Sequence, residues 1–354
     1  MQQSRFEFPS LPEIENEPLK KEIRNHLDDL TKPKGSLGRL EECAARFMQC
    51  RGSSSAKLER MSLITFAGDH GIAGQGITPF PQEVTAQMVL NMVKGGAAVS
   101  VMCVNAGIDY RVVDMGVASE LPDHPLLIKR KIAAGTSDLS TGYAMTSEQC
   151  AAALSIGIEL AEKSEADLLG TGEMGIANSA SASALYALLL GLDGAETTGA
   201  GTGAHGMLLE KKRECIHRAV VHHQREWDGT VFDALCRCGG FEIAALTGYM
   251  LGAASRHIPV VVDGFICSAA ALAALWINRK IADFLFFSHV SSERFHRAFL
   301  NQEGIIPLLD LDMRLGEGTG AVLAMQLIQQ AVCCYHRMAT FSSASVSREK
   351  EGHV

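Results

Sequence analysis

The chain has 354 residues, 47% hydrophobic and 20% charged, and its 32 Lys+Arg stand against 40 Asp+Glu for a net charge of −8. High apolar content with moderate charge excludes a disordered chain, and the length allows two domains or one large α/β domain with appendages. The acidic balance and the lack of any Lys/Arg cluster argue against a nucleic-acid partner.

Residues 1–18 show no basic-then-apolar leader. The longest apolar region, 241–277, is interrupted by Glu242, Arg256, His257, Pro259 and Asp263, so no membrane span is expected. A cytoplasmic location follows as the expectation. The ten Cys agree with a reducing compartment, because most, including Cys43, Cys103, Cys150, Cys215, Cys333 and Cys334, fall in apolar helical stretches and read as buried thiols. Cys236 and Cys238 form a lone C-x-C without the second pair that a zinc site needs, so no metal is expected.

From the N-terminus, 18–30 and 37–50 read as helices joined by the turn TKPKGS. A buried strand follows at 61–67, then a helix at 83–94, a strand at 110–115 and a helix at 146–162. The pattern continues with a strand at 166–169 and helices at 178–190, 207–223 and 241–254. Strands at 259–263 and 283–288 enclose a helix at 266–277, and helices at 292–300 and 319–338 complete the chain. Strands alternating with helices predict an α/β fold, Rossmann-like, with a mostly parallel sheet covered on both faces. The two ends carry helices and no strand signal. They predict a small helical domain from 1–59 and 313–354 packed on a large α/β domain, 60–312, with a frayed polar tail from 342 onward.

Each of the five strands runs into a turn rich in glycine and polar side chains: AGDHG at 67–71, DMG at 114–116, GTGEMG at 170–175, DGF at 263–265 and SHVSSE at 288–293. Five such turns at one sheet edge predict a large polar ligand site. GTGEMGIAN at 170–178 precedes a helix that Asn178 is placed to cap, and its glycines would let a ligand approach the backbone. With GAGTG at 199–203 it makes a pair of helix-start turns suited to an anion such as phosphate. Neither is followed by G-K-[ST], and the G-x-G-x-x-G match at 170–175 follows a short, late strand, so dinucleotide binding is not favoured.

Lys212 reads either as a solvated surface lysine or as a phosphate partner beside these turns. Glu317, in RLGEGTG at 314–320, reads either as a helix-start carboxylate or as an accessible base. Apolar surroundings would raise its pKa and the helix terminus would lower it, and the sequence leaves the sign open. Asp69 and His70 lack a second His at metal spacing, and Asp69 serves equally well to orient its turn.

Nine segments, in order, resemble the nicotinate-nucleotide–dimethylbenzimidazole phosphoribosyltransferase family: TKPKGSLGRLE (31–41), FAGDHGI (66–72), PQEVTAQM (81–88), GTGEMGIANS (170–179), GAGTG (199–203), GGFEIAAL (239–246), VVDGF (261–265), SHVSSE (288–293) and PLLDLDMRLGEGTGA (307–321). The resemblance implies transfer of phosphoribose from nicotinate mononucleotide to 5,6-dimethylbenzimidazole, with inversion at the anomeric carbon, in cobalamin nucleotide-loop assembly. It implies a homodimer, small-molecule substrates only, and no metal or redox cofactor. By motif, Glu317 is the implied base. Glu173, Met174 and Gly175 would line the nucleotide site, with Gly201, Thr202 and Gly203 near it and Lys212 and Ser291 as phosphate partners. Phe80 and Gln87 would serve the benzimidazole pocket. Many relatives read GIGNTT where this chain has GIANSA at 175–180, which loses a hydroxyl at Ala180 and a glycine at Ala177. A nucleotide sensor with the same fold is the alternative, disfavoured by the intact RLGEG. A nicotinamide-dependent dehydrogenase would need G-x-G-x-x-G after the first strand, where this chain has Ala-Gly-Asp-His.

Overall fold

The computed structural model describes residues 6–347. Six strands form one parallel sheet: β1 (Met61–Gly68), β2 (Asp109–Gly116), β3 (Leu127–Lys129), β4 (Leu168–Met174), β5 (Val260–Val262) and β6 (Leu285–Phe287). Their order is β3-β2-β1-β4-β5-β6, and every pairing is parallel. This is the Rossmann-like arrangement expected. The order reverses between β1 and β4, opening a crevice beyond the carboxyl ends of those strands.

Two points differ from the sequence reading. β3 escapes it, because a three-residue LIK segment is too short to carry a pattern; it is held by Val112 pairing with Leu127. β4 runs on through Met174, so most of GTGEMG is strand rather than turn. Its partner is β1, from Met61↔Leu168 to Ala67↔Met174.

Alternation on β1 sends Ile64 and Phe66 to one core and Leu63 and Ala67 to the other. The first core is covered by the helices Ser147–Glu162, Asn178–Leu190, Phe241–Ser255 and Phe265–Ile277. Asn178–Leu190 is buried on every side except its last residue, so its Ser/Ala-rich first turns serve close packing and give no amphipathic stripe. The second core collects helices from both ends, Glu17–Asp29, Arg39–Cys50 and Thr319–Arg337, together with Ala98–Ala106 from the middle of the chain. The ends are tied by His26 Nε2 to the Tyr335 carbonyl at 2.7 Å and by a bridge between Leu30 and Thr340.

The expected frayed tail is ordered at its start: Thr340 caps a helical turn, Phe341–Ala344, while 348–354 lie outside the described residues, as do 1–5. Glu83–Ala106 is long and apolar enough to cross a membrane by length and composition alone. In the fold it is two helices, Glu83–Val93 and Ala98–Ala106, separated by a turn at Gly95 and Gly96. Eight of the ten Cys are buried; Cys333 and Cys334 are half-exposed. Cys236 and Cys238 sit on the helix Val231–Cys238, where burial raises the Cys238 thiol.

Candidate active site

A cavity of about 670 Å³ opens at the carboxyl ends of β4, β5 and β6. Glu173 and Met174 enter it from the end of β4, Gly264 and Phe265 from the turn after β5, and His289, Ser291 and Glu293 from the segment after β6. Glu317 and Leu315 come from the loop that leads into Thr319–Arg337, and Phe80, Val84 and Met88 from the segment around Glu83–Val93.

Glu317 is 5% exposed, and its backbone is left-handed at φ +65. A non-glycine residue there costs on the order of 1–3 kcal/mol, so the fold must over-determine it. Asp263 supplies part of the constraint: its two carboxylate oxygens accept from Gly318 N and Ala321 N, both at 3.0 Å, and cap the start of Thr319–Arg337. Burial, and then the negative charge of Asp263, push the Glu317 carboxyl up to about 7. The sign left open by the sequence is therefore upward. Glu317 Oε2 is buried without a hydrogen-bond partner among the described residues. A carboxylate that exchanges its proton near neutrality, with a lone pair uncommitted, is equipped for general-base work.

Glu173 is the second buried carboxylate. Burial, and then Asp263, raise it to about 8, and Asn178 Nδ2 donates to its Oε2. Asn178 is therefore not the helix cap expected of it. Ala177 holds the N-cap position at φ +72 with no side-chain cap bond, so the alanine occupies a conformation that suits glycine. The glycines of β4 also differ from expectation. A Cβ at Gly170 would meet Met325 Sδ at 2.7 Å, and one at Gly172 would collide with the Glu317 carbonyl. These glycines admit the Glu317 loop and its helix against the sheet; they do not admit a ligand.

In the same cavity Lys212 is 3% exposed, and its Nζ donates to Ser179 Oγ at 2.9 Å and to the Gly199 carbonyl at 3.2 Å. The solvated-surface reading is excluded. Burial lowers the ammonium to about 8, against an opposing pull from Glu293. Gly201, Thr202, Gly203 and Ser291 also line this cavity. Ser291 is positioned from behind: its N–H donates to His296 Nδ1 at 2.8 Å, while His296 Nε2 faces Ser268 Oγ at 2.9 Å. Burial drops His296 to about 3, so the ring is neutral and Nδ1 is an acceptor.

All the candidate residues except Gln87 line one cavity. Gln87 lies on the exposed side of Glu83–Val93, one residue from Met88, and a rotation of about 100° per residue turns it off the cavity face. Phe80, Val84 and Met88, at helical i, i+4 spacing, form the apolar wall instead. Sequence reasoning missed Glu293, Asp263, Ser179 and Asn178, though all four fall inside the quoted motifs. Of the five expected ligand turns, 67–71 and 114–116 do not reach the cavity. Asp69 Oδ2 accepts from Ala118 N and Asp114 Oδ1 from Val117 N, both at 2.8 Å; His70 bridges Ser181 and Glu242. Among the described residues no group of three or more His, Cys, Asp or Glu is arranged to hold a metal ion.

A phosphoribosyltransferase family model matches residues 13–346. A nicotinate-nucleotide–dimethylbenzimidazole phosphoribosyltransferase of Pelodictyon phaeoclathratiforme is 52% identical, with 93% of each chain covered. One of Prosthecochloris aestuarii is 50% identical over 93% of this chain and 94% of the relative. The crystal structure of a protein of that name from Thermus thermophilus superposes with a TM-score of 0.87 at 41% identity, covering 94% of this chain and 100% of that one. The chain therefore belongs to the phosphoribosyltransferase family of the nicotinate-nucleotide–dimethylbenzimidazole enzymes.

Proposed function

We propose that the chain transfers the phosphoribosyl group of nicotinate mononucleotide to 5,6-dimethylbenzimidazole, releasing nicotinate and α-ribazole 5′-phosphate. The observation that carries this reading is one cavity that holds both a buried ammonium, Lys212, and a buried carboxyl with an uncommitted oxygen, Glu317. Lys212, with the Gly201–Gly203 turn and Ser291, suits a 5′-phosphate. Glu317 lines the same cavity with an uncommitted oxygen, and Phe80 and Met88 give it apolar lining that suits a flat dimethylated ring.

One benzimidazole nitrogen attacks C1′ as the bond from C1′ to the nicotinate nitrogen breaks, with inversion at the anomeric carbon. Glu317 takes the proton from the other ring nitrogen. Glu173 faces the same space and would favour positive charge developing on the ribosyl group whenever it is ionised. Holding the two rings in line across C1′ supplies a large share of the acceleration. The acting form is read as a homodimer in the cytoplasm, with no metal or redox cofactor. The pattern of terminal helices supports treating 1–59 and 313–354 as one helical domain on the 60–312 body.

The test is a product assay with both substrates, following nicotinate and α-ribazole phosphate by chromatography and mass. Glu317→Gln is expected to lose turnover while still binding nicotinate mononucleotide. Near-full turnover in that variant would refute the base assignment. Nicotinate release without the second product would replace the transfer by hydrolysis.

A further inference from the structure

We propose that Thr65 is a positioning residue for the base: its hydroxyl, oriented by Tyr110, anchors the Glu317 carbonyl and thereby fixes the aim of the carboxylate into the cavity. The proposal rests on the reading of Glu317 as the base.

Gly316, Glu317 and Gly318 have φ values of +82, +65 and +106. Glu317 and Gly318 are the central residues of a turn closed by the Thr319 N–H to the Gly316 carbonyl at 3.1 Å, but Glu317 has a Cβ and is strained in that conformation. The turn bond leaves the Glu317 carbonyl and the Gly318 amide without a partner inside the turn, and both are tied from outside it. Asp263 ties the Gly318 amide at 3.0 Å, and Thr319 Oγ1 donates to the Gly316 carbonyl at 2.9 Å. The Glu317 carbonyl is tied by Thr65 Oγ1 at 2.8 Å.

That carbonyl is pressed onto the sheet. Thr65 on β1 pairs with Gly172 on β4, and the carbonyl oxygen occupies the space where a Cβ at Gly172 would lie. A carbonyl so buried requires a donor, and the Thr65 side chain, fully buried, supplies one. The donor is itself aimed. Tyr110 OH donates to Thr65 Oγ1 at 3.1 Å, leaving the threonine proton for Glu317, and branching at Cβ stiffens the threonine rotamer. The chain from Tyr110 through Thr65 to Glu317 thus runs from β2 across β1 to the catalytic loop. Neither Thr65 nor Tyr110 lines the cavity, so neither touches substrate.

The experiment uses the full chain with saturating 5,6-dimethylbenzimidazole, measuring kcat and the nicotinate mononucleotide KM from pH 5 to 9 for Thr65→Val, Thr65→Ser, Tyr110→Phe and Glu317→Gln. Thr65→Val keeps the shape and loses the hydroxyl. Its kcat is expected to fall roughly ten- to a hundredfold, as misplacing a reacting group does, with KM within about twofold. The acid limb of its kcat profile is expected to move toward the ordinary carboxylate range as the loop loosens. Thr65→Ser is expected to restore kcat to within about threefold of the parent, and Tyr110→Phe to show a smaller fall than Thr65→Val, because it removes only the second link.

Thr65→Val with kcat within about twofold of the parent and an unmoved acid limb would overturn the proposal while Glu317→Gln stays inactive, leaving the base reading intact. Thr65→Ser as slow as Thr65→Val would overturn it too, since the hydroxyl would then not be the operative group. Full turnover by Glu317→Gln would remove the base reading, and the proposal with it. Should Thr65→Val not fold, Tyr110→Phe decides: lower kcat at constant KM supports the chain, and unchanged kcat with an unmoved acid limb refutes it.

Discussion

Two stretches of the same sheet edge carry nearly the same residue types and end up with opposite uses. Beyond β4 to β6, Glu173, His289, Glu293 and the arriving Glu317 surround a cavity of about 670 Å³. Beyond β1 and β2, Asp69, His70, Asp114 and the arriving Glu242 take no part in lining that cavity, and His70 is bonded across elements instead. His70 Nε2 meets Glu242 Oε1 at 2.7 Å and its Nδ1 meets Ser181 Oγ at 2.8 Å, with all three side chains fully buried. A polar turn at the end of a parallel strand becomes a ligand turn only where neighbouring elements leave room: Asp69 Oδ1 and Glu242 Oε2 are as unpartnered as Glu293 Oε2 and Glu317 Oε2, and only the last two residues line the cavity. The carboxyl ends of β4, β5 and β6 are that place; β1 and β2 are closed over by the segment around Thr136 and by Phe241–Ser255.

The comparison breaks most visibly on the closed side. Glu242→Ala strands His70 Nε2 in the core, and removing one partner of a buried pair costs about 3–5 kcal/mol. We expect a large drop in Tm with the nicotinate mononucleotide KM little changed in the protein that stays folded. A KM rise without loss of Tm would put this cluster in the binding site. On the open side the pattern inverts. Lys212→Met should raise the KM for nicotinate mononucleotide about a hundredfold, the loss of one charge-assisted contact, and leave Tm equal or higher because a buried ammonium is removed. Steady-state kinetics and thermal unfolding of one sample read both quantities.

The pH profile sharpens the contrast further. Glu317 sits near 7 and works deprotonated, so kcat/KM should rise with pH through about 7. Lys212 sits near 8 and works protonated, so kcat/KM should fall again above about 8. A narrow maximum between the two is the expected outcome; a flat profile from pH 5 to 9 would contradict both environments. The stability consequence has a definite sign. Carboxyls raised in the folded state favour folding at low pH, and that contribution is lost as pH rises through the folded values of about 7 and 8 for Glu317 and Glu173. Glu173→Gln should therefore gain Tm at pH 9 relative to pH 5. The smallest effect is expected at Gln87, where alanine should leave both kinetic constants within about twofold, since the side chain lies off the cavity face.

Much of this was legible in the chain. The runs at 61–67 and 110–115 are apolar enough to announce buried parallel strands, and the helices at 178–190 and 319–338 fall within a residue of their observed bounds. RLGEG announced a site because glycines flank a charged side chain, and GAGTG because a glycine-rich turn before a helix leaves N–H groups for an anion. The positions that failed share a cause. β3 is defined by pairing with β2 and by nothing in its own three residues. Gly170 and Gly172 looked like space for a ligand because sequence cannot say which body fills the gap that a missing Cβ leaves.

The sequence by itself determined the alternation of elements, the two-sided burial of the sheet and the set of motifs from which the site is drawn, because periodicity and residue type are local properties. Tertiary structure decided which motifs meet. It turned Lys212 from a surface side chain into a buried ammonium, sent Asn178 to Glu173 instead of to its own helix start, and raised Glu317 instead of lowering it. The raised carboxyls depend on desolvation and on a charge contributed from far along the chain, Asp263 for both Glu173 and Glu317, and such long-range terms have no signature in the local pattern.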